Sequence, residues 1–439
     1  MRKYTDITVL DRSSILPAPD ASSNDINRSL VFVLQWRTIS IGYLLVLDRL
    51  DGLVYSSLLL GPFCPHPRSG VVVLDNDGSA APAAGEPHED EKGRDHDFAS
   101  ANGSTYASES FLNDLKLGCS LVPLPDPATI RSVFPAGIPV GSFEGNGTRT
   151  LRQGYLNRDG GWADAGQGVN ILLSRVRQLG AKVHPGKAVS SLQHDNGRVI
   201  AVRCTDDSVY DVDLLVIATG SWSPSAFPDL RLQDACLATG QCVAMIQLTE
   251  EEAERYQDIP VVLNFSTGFY AFPPTAKNVF KIAVHAPGFT HFTPNSRIST
   301  PRTITTDPDN GSAIPKHILQ GLRNGLREVF PDLAKKPFSA TRLCWYNDSP
   351  DGDWIISKHP ALQNLILATG GSGHAYKFLP VIGRLVADLI EGSLEPNLVE
   401  KFAVNRVHGR VDGSRSGAPT ELDLNQLCSP RDLLAPNLP

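Results

Sequence analysis

No uninterrupted apolar run in the chain is long enough to cross a bilayer. The most apolar stretch, residues 30–60, is cut by Arg37, Asp48, Arg49 and Asp51. The N-terminal segment has no apolar centre of signal-peptide length, and the final Asn437-Leu438-Pro439 is not a peroxisomal address. No membrane partner is expected, and a cytoplasmic, reducing setting follows. An excess of base is missing too. Forty Lys and Arg stand against 47 Asp and Glu, and no basic stripe is visible, so nucleic acid is excluded as an expected partner. The seven cysteines form no CxxC pair and no Cys/His cluster, which argues against a structural zinc site or a disulfide framework. Their odd number leaves room for one cysteine with a separate task. Internal repeats are absent.

What is present suits a large globular protein. A chain of 439 residues with 41% hydrophobic side chains can build two domains with real cores. Ile7–Leu10 reads as a short buried strand ended by Asp11. Residues 74–105, rich in Asp, Glu, Gly, Ala and Ser, read as an acidic, mobile loop. From residue 166 the patterning sharpens. Val169, Leu172, Leu173, Val176 and Leu179 recur at helical spacing, with Gly180 where a left-handed cap belongs. A meander follows: Lys187–His194, an Asn196-Gly197 hairpin turn, Val199–Cys204 and Tyr210–Val212. The apolar strand Leu214–Ala218 then delivers Thr219-Gly220. A second strand, Leu365–Leu367, runs through Ala368-Thr369-Gly370-Gly371 into Ser372-Gly373-His374. The helix after it is opened by Pro380 and closed by Gly392. Strand, glycines and a helix N-terminus together seat an electron-rich group, because free N–H groups and the positive dipole end point at it.

Two ordered motifs carry a family likeness. Cys344-Trp345-Tyr346-Asn347-Asp348-Ser349-Pro350-Asp351-Gly352-Asp353 is followed by Ala368-Thr369-Gly370-Gly371-Ser372-Gly373-His374-Ala375-Tyr376-Lys377-Phe378. Together they resemble the C-terminal signature of the monomeric sarcosine oxidase family, which includes fungal fructosyl amine, saccharopine and pipecolate oxidases. Gly160-Gly161-Trp162-Ala163-Asp164, Thr219–Pro224 and Phe272-Pro273-Pro274-Thr275 extend the likeness from about residue 68 to the end, with a stub at 4–27.

The resemblance implies an α/β (α+β) fold. A doubly wound FAD-binding domain of the two-dinucleotide-binding type would comprise 1–67, 166–230 and 340–439. An antiparallel-sheet substrate domain would comprise 68–165 and 231–339. It also implies a monomer that oxidises a small amino acid with O2.

The implied site roles are specific. Cys344, which on spacing alone reads as a small buried thiol, would bond the 8α carbon of FAD through a thioether. Lys281 would sit near flavin N5 and favour electron transfer to O2. Any lysine is more often solvated, but Val279-Phe280-Lys281-Ile282-Ala283-Val284 surrounds this one with apolar residues. Tyr270 and His285 match substrate-side positions, and Lys377 matches the lysine that grips the substrate carboxylate. Trp222 would pack near the ring system, a place it shares equally with the reading of an ordinary core aromatic, and His374 would lie in the glycine turn close to the flavin, while His374 and Lys377 both read otherwise as first-turn polar residues exposed to water. Asp11, with Arg12, matches the ribose-binding acid. Val189 matches a backbone contact to adenine, and Gly220, Gly371 and Gly373 belong to the cofactor-binding turns.

The chain departs from the family in two places. A strand and GxGxxG are expected ahead of Asp11, yet Met1 stands only six residues before that strand, and Gly166-Gln167-Gly168 follows no predicted strand. The first βα unit is therefore expected to be missing. Residues 28–67 also read as unrelated sequence. The reaction expected is oxidation of a secondary or cyclic amino acid by hydride transfer to FAD, with H2O2 formed from O2. Phe272 stands where fructosyl amine oxidases place a glutamate, which favours saccharopine- or pipecolate-type substrates. The competing expectation is a paralogue without flavin-dependent activity, either degenerate or read from a wrongly assigned gene start, acting at most as a binding protein.

Overall fold

A computed structural model describes residues 4, 6–24, 28–29, 69–75, 106–144, 153–409, 411, 415 and 417–435. Most of the atypical 28–67 segment, and residues 76–105 of the expected acidic loop, lie outside the described residues.

Along the chain, strand β1 is Thr8–Leu10, β2 Val71–Asp75, β3 Gln153–Asn157, β4 Lys182–His184 and β5 Val189–Asp195. Then come β6 (Arg198–Cys204), β7 (Val209–Asp211), β8 (Leu215–Ile217), β9 (Leu237–Gln247) and β10 (Val261–Asn264). The set is completed by β11 (Phe269–Ala271), β12 (Val279–Val284), β13 (Ala340–Asp348), β14 (Ile355–Lys358) and β15 (Leu365–Thr369). The four long helices are α1 (Tyr106–Lys116), α2 (Ala165–Gln178), α3 (Lys316–Val329) and α4 (Leu379–Glu391). One expectation needs correction here. Leu74 and Asp75 are not loop residues; they complete β2, all five of whose residues are buried.

The local signals act where the residue pattern places them. Asp164 caps α2 by accepting from the Gln167 N–H, and Gly180 follows it at φ +93°. Asn196 and Gly197, both at positive φ, turn β5 into β6, and β7 completes the antiparallel meander. Gly392, at φ +73°, ends α4.

Two short strand pairs outside the largest sheet are parallel. β1 runs beside β4, and β8 runs beside β15 in the register Leu215↔Leu365 to Ile217↔Leu367. That register brings the two Ala-Thr-Gly segments, 218–220 and 368–370, out of the sheet side by side. Antiparallel β14 flanks β15.

A ten-stranded mixed sheet dominates the rest, in the order Thr420–Glu421, Phe289–Thr290, β9, β12, β11, β10, β2, β3, Leu121–Leu124. β13 joins β9 on its other side over nine residue pairs, Leu237↔Asp348 to Met245↔Ala340. The sheet is largely antiparallel, but β10 pairs β2 in parallel, as Phe289–Thr290 does with Thr420–Glu421. One face carries the largest core. Ala244, Ile246, Phe280, Ile282, Leu343 and Trp345 lie there with the inner stripe of α3, which includes Leu319, Leu322 and Leu326. The opposite face carries Lys281 and Cys344.

Candidate flavin and substrate site

Residues directly opposite on paired strands point to the same side of a sheet. Cys344 faces Gln241, Ala283 faces Val243, and Lys281 faces Met245. Gln241, Val243 and Met245 alternate along β9, so Cys344 and Lys281 share a face. Tyr270 joins them through its pairing with Ala283. The two key residues sit four positions apart along β9 and on its opposite sides. They are therefore about 14 Å apart along the strand and about 10 Å across it at the backbone. A planar multi-ring group lying on this face can reach both.

Both side chains are shut away from water. Lys281 and Cys344 are each 1% exposed. Cys344 packs with Val243 and Ala283, and Met245, Tyr270 and Tyr346 close the patch. The Lys281 ammonium lies 4.9 Å from the centre of the Phe272 ring, which itself packs edge-on to Tyr270. His285 continues the alternation past Ala283 and is half-buried, its N–H bonded to the Gly268 carbonyl.

A glycine turn is locked against this face. Thr369 receives a hydrogen bond from the Asn347 side chain at 2.6 Å, and its hydroxyl shares one with Ser223 at 2.9 Å. Ser223 in turn bonds Thr219, joining the two Ala-Thr-Gly segments. The Ser372 N–H donates to the Asn347 carbonyl. Gly373 adopts φ +72°, and a Cβ there would stand 2.5 Å from the Tyr346 ring, so only glycine fits without displacement. Gly220 is also left-handed, at φ +54°, while Gly371 is not. His374 bonds the Ser372 carbonyl through Nδ1. Lys377 follows in the 3-10 turn Ala375–Phe378 that opens into α4. Burial pushes its ammonium down to about 8, with Asp114 opposing.

The Asp11 region sits at the ends of β1 and β4. The Asp11 carboxylate accepts the Ser13 N–H at 2.8 Å, so the turn role open to it is filled. The Arg12 guanidinium stacks 4.0 Å from the Trp222 ring and pairs with Asp20. Burial raises the Asp20 carboxyl, but Arg12 and the hydroxyls of Thr305 and Thr303 outweigh it and hold the group below its usual range. Val189 opens β5 and packs against the buried cluster that includes Ile217 and Phe227. Arg12 thereby ties the Asp11 segment to Trp222, next to the Gly220 turn.

Three residues of the site escaped the sequence reading. Asp114, Tyr155 and Asn157 form a buried polar cluster, with Asn157 Nδ2 donating to Asp114 Oδ2 at 3.0 Å and the Tyr155 hydroxyl at 3.4 Å. Tyr155 and Asn157 lie on the Lys281 face through the register Leu263↔Val73↔Tyr155 and Val71↔Asn157. The available signal was an aspartate in the stripe Ala107, Phe111, Asp114.

This architecture matches a known family over residues 45–389, more than half of the 439-residue chain. The chain belongs to the FAD dependent oxidoreductase (DAO) family. FAD is the cofactor that membership brings, and the residues present fit such a group: two strand-borne glycine turns side by side, and a buried cation and thiol on one sheet face beside them. L-saccharopine oxidase of Schizosaccharomyces pombe is 30% identical over 291 residues, covering 63% of this chain and 64% of that protein. Human peroxisomal sarcosine oxidase is 26% identical over 54% of this chain and 58% of its own length. The chain thus spans less than two thirds of these curated relatives. The solved fructosyl peptide oxidase of E. terrenum superposes with a TM-score of 0.76 at 26% identity, over 96% of this chain and 90% of that one. The α/β fold expected from the motifs is thereby borne out. No helix among the described residues is long and apolar enough to cross a membrane.

Proposed function

We propose that this member of the FAD dependent oxidoreductase family oxidises a secondary or cyclic amino acid, with O2 as the final acceptor. The observation that carries the reading is the burial of Lys281 and Cys344 on one sheet face beside the glycine turn. When bound, FAD supplies a two-electron acceptor for the hydride leaving the carbon next to the amine and passes the electrons on to O2, giving H2O2.

The chain's own residues do the remainder. Lys377 neutralises the substrate carboxylate, and Tyr270 and His285 flank the amine side. Lys281 holds a positive charge where water is excluded, so negative charge developing on O2 is stabilised without reorganisation. Asp11, Arg12 and Val189 hold the adenosine end. Gly220, Gly371, Gly373, Trp222 and His374 shape the ring end, and the Cys344 thiol forms the covalent tether. In this reading residues 1–67, 166–230 and 340–439 serve the cofactor, and 68–165 with 231–339 serve the substrate, in a monomer.

Substrate class follows from Phe272. It is 1% exposed and packs on Tyr270 and Lys281, so it sets an apolar ring where a glutamate would set a charge. That favours saccharopine, pipecolate or sarcosine over a sugar amine, which needs polar partners. Purified protein is precipitated with acid, and O2 uptake is measured with L-pipecolate, L-saccharopine, sarcosine and a fructosyl amino acid. A yellow pellet and peroxide formation with one of the first three are expected. A colourless protein inert toward all four overturns the proposal in favour of a non-catalytic chain.

A further inference from the structure

Gly370, Ser372 and Gly373 are all left-handed. The two glycines take φ +66° and +72°, angles that a residue without a side chain adopts freely. Ser372, at φ +47°, has no such freedom. Its Cβ crowds the backbone there, and it lacks the Asn or Asp side chain that commonly occupies this region. A glycine would sit at 372 more easily, so the strain persists only because the surroundings hold the serine in place.

The turn that follows β13 does the holding. Ser372 is buried, and its Oγ accepts the Ser349 N–H at 3.2 Å and lies 3.3 Å from the Ser349 Oγ. The same hydroxyl is 3.2 Å from the Gly370 carbonyl, so one oxygen braces the turn internally and joins it to residue 349. Ser349 is buried as well. Its own proton is directed at the Asp353 carbonyl at 2.5 Å, with Asp351 Oδ1 at 3.2 Å. That leaves an Oγ lone pair as the acceptor open to the Ser372 hydroxyl.

Asp351 keeps Ser349 in register. Its Oδ1 also accepts the Asp353 N–H at 3.0 Å and an Arg406 N–H at 2.6 Å, and its Oδ2 accepts Arg406 Nε at 2.8 Å. Arg406 is fixed in turn by the carbonyls of Asp353, Trp354 and Ala403. A continuous path of hydrogen bonds thus runs from the C-terminal segment through the acidic turn 349–353 to the glycine turn 370–373. The strand leading into that acidic turn carries Cys344 and Tyr346, so the thiol and the turn are held on one frame.

We propose that Ser349 and Ser372 are positioning residues for the flavin: their hydrogen-bonded pair, anchored through Asp351 on Arg406, holds 370–373 in its left-handed path before FAD arrives. The inference rests on the reading that this turn seats the flavin. A turn already in place binds FAD without an ordering cost. Without the pair, Ser372 relaxes toward ordinary backbone angles, and the turn has to be reordered at each binding event, which weakens affinity.

The test is made on the full chain in a Cys344→Ala background, where no thioether can form. The protein is stripped of flavin, and FAD affinity is read from the change in flavin fluorescence on titration. Ser349→Ala and Ser372→Ala are each expected to bind FAD about tenfold more weakly than the parent. The double variant is expected to bind about as weakly as the weaker single one, because both changes break the same link. Affinities within about twofold of the parent overturn the proposal, as do single losses that add in full. A purely structural bond would lower the urea midpoint of the flavin-free chain and leave the affinity of the folded protein unchanged; that result also overturns it. If an alanine variant does not fold, Ser372→Gly serves instead, since it removes the hydroxyl while relieving the left-handed strain. The same loss of affinity is expected, and parent-like binding refutes the role of the hydroxyl. Absence of FAD binding to the parent removes the flavin site itself, and this inference with it, whereas a parent that binds beside unaffected variants removes this inference alone.

Discussion

Replacing Lys281 by methionine removes one charge and leaves the volume nearly unchanged. The side chain is 1% exposed, with the Phe272 ring 4.9 Å from its ammonium, so its field is little screened by water. A unit charge about 4 Å from a developing anion at an effective dielectric near 20 contributes about 4 kcal/mol. Lost from a transition state, that is roughly a thousandfold in rate. Fold stability should move far less, because a thioether fills the same space and a buried ammonium is itself expensive; a change within about 2 kcal/mol is expected. The assay reduces the protein anaerobically with substrate and mixes it with O2 in a stopped-flow instrument. The reductive half-reaction should stay within a few fold of wild type while reoxidation falls by two to three orders of magnitude. Reoxidation within tenfold of wild type, in a variant whose urea midpoint shows it folded, refutes the role given to Lys281.

Cys344→Ala should give a colourless pellet on acid precipitation, with the yellow colour left in the supernatant. Its cost in stability, read from denaturant unfolding, should be about 1 kcal/mol for a small buried deletion. Gly373→Ala forces a Cβ toward the Tyr346 ring at a left-handed φ of +72°, so a loss of about 1–3 kcal/mol is expected together with weakened flavin retention on a desalting column. An unchanged unfolding midpoint contradicts the tight approach. Asp351 is a buried partner of Arg406 and His408. Burial raises its carboxyl, but the bonds from Arg406 and His408 outweigh it and hold the group well below the ordinary carboxylate value. A depressed folded-state value means its contribution is present above about pH 4 and is lost as pH falls further. Asp351→Asn should therefore cost about 3 kcal/mol at pH 7, by leaving Arg406 without its charge partner, and the gap to wild type should narrow in acid. A gap independent of pH counts against this account.

Local structure was legible wherever a single segment decides it. The helix from Ala165, its Gly180 cap, the Asn196-Gly197 turn and the strand running into Gly370 lie where periodicity and turn chemistry put them. Side-chain alternation along a strand is a local property as well, so the apolar setting of Lys281 could be read directly. Leu74 and Asp75 were lost to the acidic composition that follows them. Composition averages over a window, whereas a strand ends at a residue.

The sequence by itself determined the family likeness, the glycine turns, and which lysine and cysteine to watch, because each is written in contiguous residues. Only the tertiary structure decided that Cys344 and Lys281 share one face, since that depends on the register of β12 and β13 on β9. It alone brought Asp114 to Tyr155 and Asn157. No local pattern encodes that meeting, because it depends on how α1 packs against β3, and packing between distant segments is set by the whole core.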